Sequence, residues 1–191
     1  MSMRSLIHLG RRPALAGCVA ALAIGVGACG QLSHPTNADS EGVYVDAGPI
    51  TYQVQLSRQL NPFNVEDKTY LSGQSASAPS PSELWFGVFL WAENQSESNA
   101  ATTDSFDIVD TQGHKYYPIP LNPQVNPFAW TSETLRPNAQ QPTPGSIAFY
   151  GPAQGDELLF KLNNSIYSNR PLTLEIHAPG QAKPSSVSLD L

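Results

Sequence analysis

Residues 84–92 read LWFGVFLWA and contain no charged residue. A segment of this length that is apolar on both faces and rich in aromatic residues is typical of a strand buried in the middle of a sheet. Successive side chains of a strand point to opposite faces. One face is therefore expected to hold Leu84, Phe86, Val88 and Leu90, and the other Trp85, Phe89 and Trp91.

Strand patterns recur on both sides of this segment. Upstream, Ile50, Tyr52, Val54 and Leu56 alternate with Thr51, Gln53, Gln55 and Ser57, which predicts a half-buried strand. Downstream, 106–110 and 114–121 flank a turn at 111–113 and predict a hairpin. Further strands are predicted at 146–150, 157–162, 172–177 and 185–191. About eight short strands without an amphipathic helix favour an all-β, antiparallel sandwich of immunoglobulin-like architecture.

An insertion near 61–82 interrupts this pattern. Its first part, NPFNVEDKTYL, can form a helical turn, and the rest, SGQSASAPSPS, is a loop. A two-layer sandwich has one interior, so the second face of 84–92 needs another cover. Either the insertion supplies it through Phe63 and Tyr70, or the aromatic residues form an exposed platform for a protein partner or a glycan.

Trp130 lies in the sequence NPFAW, within a stretch rich in Pro and Asn that is expected to be a loop. An exposed tryptophan there could contribute strongly to binding. The alternative is that it folds back and plugs the sandwich, since large aromatic side chains rarely stay exposed. The candidate partner-binding residues are Trp85, Phe89, Trp91 and Trp130.

The N-terminal residues are typical of an export signal. A basic segment with three arginines and no acid precedes the apolar run 14–26, which is shorter than the roughly 20 residues that span a bilayer. Val26-Gly27-Ala28-Cys29 then resembles the bacterial lipobox, in which the cysteine thiol receives diacylglycerol and the signal is cut before it. An ordinary signal peptide cleaved without lipidation is the alternative.

This resemblance predicts three regions. Residues 1–28 are a lipoprotein signal peptide, 29–42 a lipid-anchored flexible tether, and 43–191 the sandwich domain. Lipid on Cys29 would hold the protein at the outer face of the cell membrane, because the product carries at least two acyl chains.

Five segments carry a resemblance to a known family. They are TYQVQLSRQLNP, ELWFGVFLWAENQS, FDIVDTQGHKYYPIPL, GSIAFYGPAQGDELLFKL and NRPLTLEIHAP, which cover most of 51–179. Their order is similar to that of immunoglobulin-like lipoproteins of unknown function from high-GC Gram-positive bacteria. The resemblance implies the sandwich fold and the membrane location, and it supplies no catalytic residues.

Charge and cysteine content exclude several classes of protein. Removing 1–28 takes away three of the ten basic residues and none of the sixteen acidic ones, which leaves a formal net charge of −9. Such a surface repels phosphate backbones, so no nucleic-acid partner is expected. Cys18 leaves with the signal, and Cys29 is then the single remaining cysteine, so disulfides are not expected.

The polar residues form no recognised catalytic or metal-binding pattern. His34, His114 and His177 lack the neighbouring ligands of a zinc site, and no Gly-x-Ser-x-Gly motif is present. Asp104, Asp107 and Asp110 are expected to be solvated charges near a turn. Glu133 and Glu157 have no recognisable partner for acid–base catalysis. We therefore expect no catalytic residues, no metal and no cofactor.

These observations favour a non-catalytic adaptor or binding module for another envelope component, a protein or a glycan. A carbohydrate-binding module is the alternative, which coplanar exposed tryptophans would favour. An envelope hydrolase is a further alternative. It would require a pocket that joins His114 or His177 to a carboxylate and a serine.

Overall fold

A computed structural model of the chain describes residues 33–190, and strands make up most of their regular structure. The strands are β1 (Asn37–Ala38), β2 (Tyr44–Ala47), β3 (Ile50–Leu60), β4 (Glu83–Asn94), β5 (Ala100–Ala101), β6 (Phe106–Val109), β7 (Lys115–Tyr116), β8 (Thr134–Leu135), β9 (Gln140–Gln141), β10 (Asp156–Asn163), β11 (Leu172–Ile176) and β12 (Ser185–Leu189). The helices are α1 (Val65–Tyr70), α2 (Ile147–Tyr150) and a 3-10 helix (Asn164–Tyr167). Within these residues, no helix combines the length and the hydropathy that crossing a bilayer requires.

The strands form two five-stranded sheets and one small ladder. The first sheet has the order β10-β4-β3-β2, with β9 also paired to β4, and the second has the order β1-β12-β11-β6-β7. All pairs are antiparallel except β1 with β12. Apolar side chains from both sheets join in one buried cluster, the sandwich interior. The predicted all-β antiparallel sandwich is confirmed.

β4 is the central strand of the first sheet, as its apolar sequence predicts. Leu84, Phe86, Val88 and Leu90 are at most 5% exposed and belong to the sandwich interior. Trp85 and Phe89 are equally buried on the opposite face. Because burial of each large apolar side chain contributes about 1.5–3 kcal/mol, both faces of this strand stabilise the fold.

β3 changes face part-way along its length. Its register places Val54 opposite Leu90 and then shifts, so that Leu56 lies opposite Phe89. The additional residue, Gln55, forms a β-bulge that reverses the alternation of side chains. Val54 is fully buried as predicted, but the inward position predicted for Leu56 is wrong, because it packs half-buried on the opposite face.

A second apolar group, the outer cluster, covers the outward face of the first sheet. It consists of Leu60, Tyr70, Trp85, Phe89, Phe128, Ala148, Ala153 and Leu159. Tyr70, at the end of α1, makes T-shaped contacts with Phe89 and Phe128, each with 4.8 Å between ring centroids. The cover predicted through Tyr70 is therefore confirmed. The cover predicted through Phe63 is wrong, since this residue precedes the N-cap Asn64 and is 87% exposed.

The strand predicted at 146–150 is also wrong, because Ile147–Tyr150 form α2. Ser146 caps this helix by accepting a hydrogen bond from the Phe149 amide at 3.1 Å. α2 rests on the outer cluster through Ala148. Gly151 follows this helix and lies close to Phe128, so that a Cβ added to Gly151 would lie 2.8 Å from the Phe128 ring.

The segment predicted as a flexible tether, 29–42, is described from Ser33 onward, and this part lies on the sandwich. β1 pairs with β12, and the Pro35 carbonyl accepts a hydrogen bond from the Asp46 amide at 2.9 Å. The Glu41 carboxylate accepts bonds from the amides of Ser57 and Asp190. The tether prediction is therefore wrong from Ser33 to Gly42, where these hydrogen bonds order a polar sequence. Cys29 and the signal segment 1–28 lie outside the described residues.

Candidate functional site

The outer cluster leaves part of the first sheet uncovered. Its cover ends at Phe89, which is fully buried, whereas Trp91, two residues further along the same face, is half-buried. Across the strands, Tyr44 on β2 lies opposite Gln53 on β3, which lies opposite Trp91 on β4. Directly opposed residues share a face of the sheet, so the three side chains form a row beside the cover.

This row forms one side of an open groove of about 420 Å³, which we call the glutamine–aromatic groove. Its lining residues are Tyr44, Gln53, Gln55, Trp91, Gln140, Phe149, Tyr150 and Gln154. The strands supply the first five, and α2 with the turn after it supplies the last three. The volume lies within the range of about 300–1,000 Å³ typical of small-molecule sites, and all eight lining side chains are uncharged.

The aromatic rings of the groove are inclined to one another. Tyr44 and Trp91 have ring centroids 5.6 Å apart at an interplanar angle of 69°. Phe149 and Tyr150 are 5.0 Å apart at 87°. Tyr150 is 76% exposed and Tyr44 42% exposed, so both present ring surface to solvent. The coplanar exposed tryptophans that would mark a flat carbohydrate platform do not occur among residues 33–190.

The amides of the groove are only partly engaged. Gln55 Nε2 donates to Gln53 Oε1, and Gln53 Nε2 donates to the Gly42 carbonyl at 2.6 Å. Gln140 and Gln154 make no side-chain hydrogen bond within residues 33–190. Gln154 has a φ of +49°, in the left-handed region that few non-glycine residues adopt. Its backbone N–H donates to the Gly151 carbonyl at 3.1 Å and closes a turn.

The four residues predicted for partner binding differ in their burial and contacts. Trp85 and Phe89 are 4% and 0% exposed within the outer cluster, so the prediction that they contact a partner is wrong. Trp130 is half-buried against the sandwich interior and donates from Nε1 to the Thr103 carbonyl at 2.9 Å, so it plugs the sandwich. Trp91 lines the groove. The lipid-attachment prediction for Cys29 lies outside the described residues.

Sequence reasoning missed most of the groove. The alternation in β3 correctly places Gln53 on the outward face, but a glutamine on a solvent face carries no functional signal. Tyr44 lies in a short strand that the pattern does not predict, and Tyr150 lies in a helix where the pattern predicts a strand. The groove arises from tertiary packing of α2 on the sheet, so no local pattern marks it.

A second polar group lies on and next to β6, β7 and β11. It corrects the expectation that Asp107 and Asp110 are solvated, whereas Asp104 is exposed as expected. Asp107 is 2% exposed and accepts from Lys115 Nζ at 2.6 Å and from His177 Nε2 at 2.8 Å. Burial alone raises the pKa of Asp107, and these two hydrogen bonds more than reverse that effect, so the pKa is lowered. Asp110 is 4% exposed, and its bonds from His114 and Asn169 likewise overcome burial and lower its pKa to about 2.

The cluster of Asp107, Glu175 and His177 brings potential metal ligands within 4.8 Å of one another. Lys115 lies among them, because its Nζ also donates to Glu175 Oε2 at 2.8 Å. The ammonium group thus already supplies the positive charge that these carboxylates require. Both His114 and His177 hydrogen-bond to aspartates, and within residues 33–190 no serine hydroxyl bonds to either ring. The arrangement required of a serine hydrolase is not assembled around them.

Two acidic residues of β10 behave in the opposite way. Burial raises the pKa of Asp156 to about 7 and that of Glu157 to about 8. Glu157 is 1% exposed, and its Oε2 accepts from Asn126 Nδ2 at 3.3 Å while Oε1 has no partner among residues 33–190. Asn126 also donates to the Tyr70 carbonyl at 2.8 Å. Glu157 is therefore a neutral acid beneath the outer cover at neutral pH.

No known protein family and no curated protein matches the chain by sequence. Among solved structures, a similar fold occurs in the yjhA protein from Bacillus subtilis, which is 13% identical in sequence. The alignment covers 80% of this chain and 99% of the yjhA chain, with a TM-score of 0.47. Another is ycdA from Bacillus subtilis, described as a candidate lipoprotein, with 10% identity, 78% coverage of this chain, 38% of its own and a TM-score of 0.45. A third is an uncharacterized β-sandwich protein from Clostridium difficile 630, which is 9% identical. The alignment covers 83% of this chain and 97% of that protein, with a TM-score of 0.44. These identities are too low to transfer residue roles.

Proposed function

We propose that the chain is a membrane-anchored extracytoplasmic lipoprotein whose sandwich acts as a non-catalytic adaptor or binding module for another cell-envelope component. The N-terminal signal pattern ending at Cys29 supports the location. The glutamine–aromatic groove supports binding, and it is the observation that carries the proposal. It is open and uncharged, and it lies where the cover of the sheet ends.

The short sequence distance between Cys29 and the groove adds to this proposal. The described chain begins at Ser33, and the His34 ring packs on Tyr44 at 5.5 Å between centroids, beside the groove. Only residues 30–33 lie between Cys29 and His34. A fully extended chain from Cys29 to His34 spans at most about 17 Å, so lipid on Cys29 would hold His34 and the adjoining groove near the membrane surface. A component of the membrane or of the innermost wall is within its reach.

A carbohydrate-binding module is the second candidate. It is favoured by one specific observation, the combination of exposed aromatic rings with four glutamine amides in one groove. Carbohydrate hydroxyls both donate and accept hydrogen bonds, as amides do. The rings of the groove are inclined, whereas coplanar exposed tryptophans would have favoured this candidate more strongly.

The location is tested by Cys29→Ser in the full chain, expressed in a bacterium that processes lipoproteins. Loss of the thiol should abolish labelling with an alkyne fatty acid, and it should leave the precursor uncleaved or release the protein into the medium. A variant that is processed normally and stays on the membrane without label would overturn the anchor.

The binding role is tested by chemical crosslinking on intact cells. Wild type is compared with Tyr150→Ala, which removes an exposed groove residue, and with Tyr117→Ala, an equally simple truncation at a site that is 66% exposed and outside the groove. We expect wild type and Tyr117→Ala to form the same crosslinked adduct with an envelope component, and Tyr150→Ala to lack it. Identical adducts in all three would contradict a role for the groove.

A further inference from the structure

The geometry points to a single uncharged glycan chain as the ligand of the glutamine–aromatic groove. This inference deepens the proposed function and rests on it. It names the chemistry of the ligand from the charge, the ring surfaces and the amides of the groove.

The charge of the groove excludes strongly ionic ligands. Residues 29–191 carry a formal net charge of −9, yet all eight lining side chains are uncharged. An acidic polymer would require lysine or arginine in the groove, and a cationic ligand would require carboxylates. Neither is present among the lining residues. The groove therefore matches a polar ligand without formal charge.

The exposed rings match the apolar faces of sugar rings. One side of a pyranose or furanose carries C–H groups, which pack on an aromatic ring as other apolar groups do. Tyr150 and Tyr44 offer such surfaces, and Trp91 adds a larger ring with an Nε1–H that has no acceptor within residues 33–190. Rigid amphipathic rings of this kind give large contact area for a small loss of conformational freedom.

The glutamine amides match the hydroxyl groups. Each hydroxyl is both a donor and an acceptor, and each amide offers an oxygen and two N–H groups. Gln140 and Gln154 keep this capacity free of competing bonds within residues 33–190. The turn holds Gln154 at a φ of +49°, a conformation whose cost is commonly retained where a side chain is positioned for function.

Peptide ligands fit this groove less well. A peptide added to a sheet binds the free edge of a strand, whereas the row of Tyr44, Gln53 and Trp91 in the groove lies on the face of the first sheet. A proline-rich peptide presents carbonyl acceptors and few donors, so the amide oxygens of Gln140 and Gln154 would remain unpaired in its complex. A glycan satisfies both the donors and the acceptors.

The angles between the rings set the form of the glycan. Aromatic rings in one plane suit the flat surface of an insoluble polysaccharide. Here the rings of Tyr44 and Trp91 are inclined by 69°, and those of Phe149 and Tyr150 by 87°. A groove with inclined walls encloses one chain from more than one side. We therefore expect binding to soluble single chains and none to crystalline cellulose.

The experiment probes the purified mature protein, residues 29–191, on an array of neutral gluco-, manno-, galacto- and arabino-oligosaccharides. Heparin oligosaccharides and a proline-rich peptide serve as ionic and peptide competitors. Titration calorimetry then measures the best neutral ligand at 50 and 500 mM NaCl. We expect at least one neutral series to bind, with a Kd that changes less than twofold between the two salt concentrations.

Three variants connect this binding to the groove. Tyr150→Ala should weaken it at least tenfold, and Gln154→Glu should weaken it several-fold because both N–H donors of the amide are lost and a charge is introduced. Tyr117→Ala, exposed and outside the groove, should bind as wild type. Binding to none of the neutral series, preference for heparin or the peptide, or equal binding by Tyr150→Ala and Tyr117→Ala would each overturn the proposal.

A second arm separates this inference from the proposed function. Envelope fractions are treated with periodate, which cleaves vicinal diols of sugars, or with protease, and then offered to the protein. Groove-dependent capture that periodate abolishes and protease leaves intact supports a glycan. Groove-dependent capture that protease abolishes and periodate leaves intact overturns the glycan and leaves the binding module standing.

Discussion

The outward face of the first sheet has two halves that are built from similar residues and serve different ends. In the covered half, Trp85 and Phe89 lie beneath Tyr70 and Phe128 and are excluded from solvent. In the open half, Trp91 lies beside polar amides and remains half-buried. The difference comes from what packs above each half and not from the strand itself. Aromatic content alone therefore does not distinguish a core from a binding surface.

The largest expected effect comes from truncating the covered half. Phe89→Ala removes a fully buried ring that contacts Tyr70, so it should lower the free energy of unfolding by about 3–5 kcal/mol. Trp91→Ala, two residues away, should cost clearly less, because its ring is already partly solvated. Urea denaturation of both variants measures the gap. Equal losses would mean that the two halves are not distinct.

This contrast also shows what the sequence can and cannot predict. Alternation in 84–92 correctly separates the interior face from the aromatic face, because periodicity is a local property of strands. The cover comes partly from Phe128 and Ala148, which are distant in sequence and whose contacts depend on the tertiary fold. Trp130 illustrates the same limit, since it becomes a plug through contacts with residues distant in sequence, the rings of Tyr52 and Phe106 and the Thr103 carbonyl.

The burial and the hydrogen-bond partners of the acidic residues are likewise not predicted by the sequence. Asp107 and Asp110 look like solvated turn residues, yet both are buried. Lys115 and His177 reach Asp107 across strands, and His114 bonds to Asp110 across the turn. Glu157 lacks any recognisable partner in sequence, and it is buried as a neutral acid beside Asn126. Partners of this kind are specified by strand register, which a single sequence does not reveal.

The second effect concerns pH and again belongs to the covered half. Burial raises the pKa of Glu157 to about 8 from the ordinary value of 4.5, so the folded state binds this proton more tightly than the unfolded state. Its contribution is fully present below pH 4.5 and is lost as the pH rises towards 8, with a slope of at most about 1.4 kcal/mol per pH unit. Between pH 5 and 7 the loss should reach roughly 2–3 kcal/mol.

Glu157→Gln tests this assignment, because the amide can still accept from Asn126 and does not titrate. Its free energy of unfolding should vary less with pH between 5 and 7 than that of wild type. Some slope should remain, since the pKa of Asp156 is also raised, to about 7. Asp110, with a pKa of about 2, titrates at lower pH and does not contribute in this window. An unchanged slope in the variant would contradict a neutral Glu157.

The third effect lies at the boundary between the halves. Gly151 joins α2 to the outer cluster, and an added Cβ would meet Phe128 at 2.8 Å and the Ile147 carbonyl at 3.1 Å. Gly151→Ala should therefore cost about 1–3 kcal/mol through overpacking. It should also displace Phe149 and Tyr150, so groove-dependent binding should fall with stability. A loss of stability without any change in binding would show that the groove wall does not depend on the cover.

The smallest expected effect is in the open half, and it is the most informative for function. Tyr150 is 76% exposed, and its ring contacts the neighbouring Phe149, so Tyr150→Ala should change the free energy of unfolding by no more than about 0.5 kcal/mol. Tyr117→Ala should be similarly neutral and serves as the control. If Tyr150→Ala has the same melting temperature as wild type while groove-dependent binding is lost, the ring is held in solvent for a ligand. If it instead destabilises the fold as Phe89→Ala does, α2 belongs to the cover and the open half is smaller than the groove indicates.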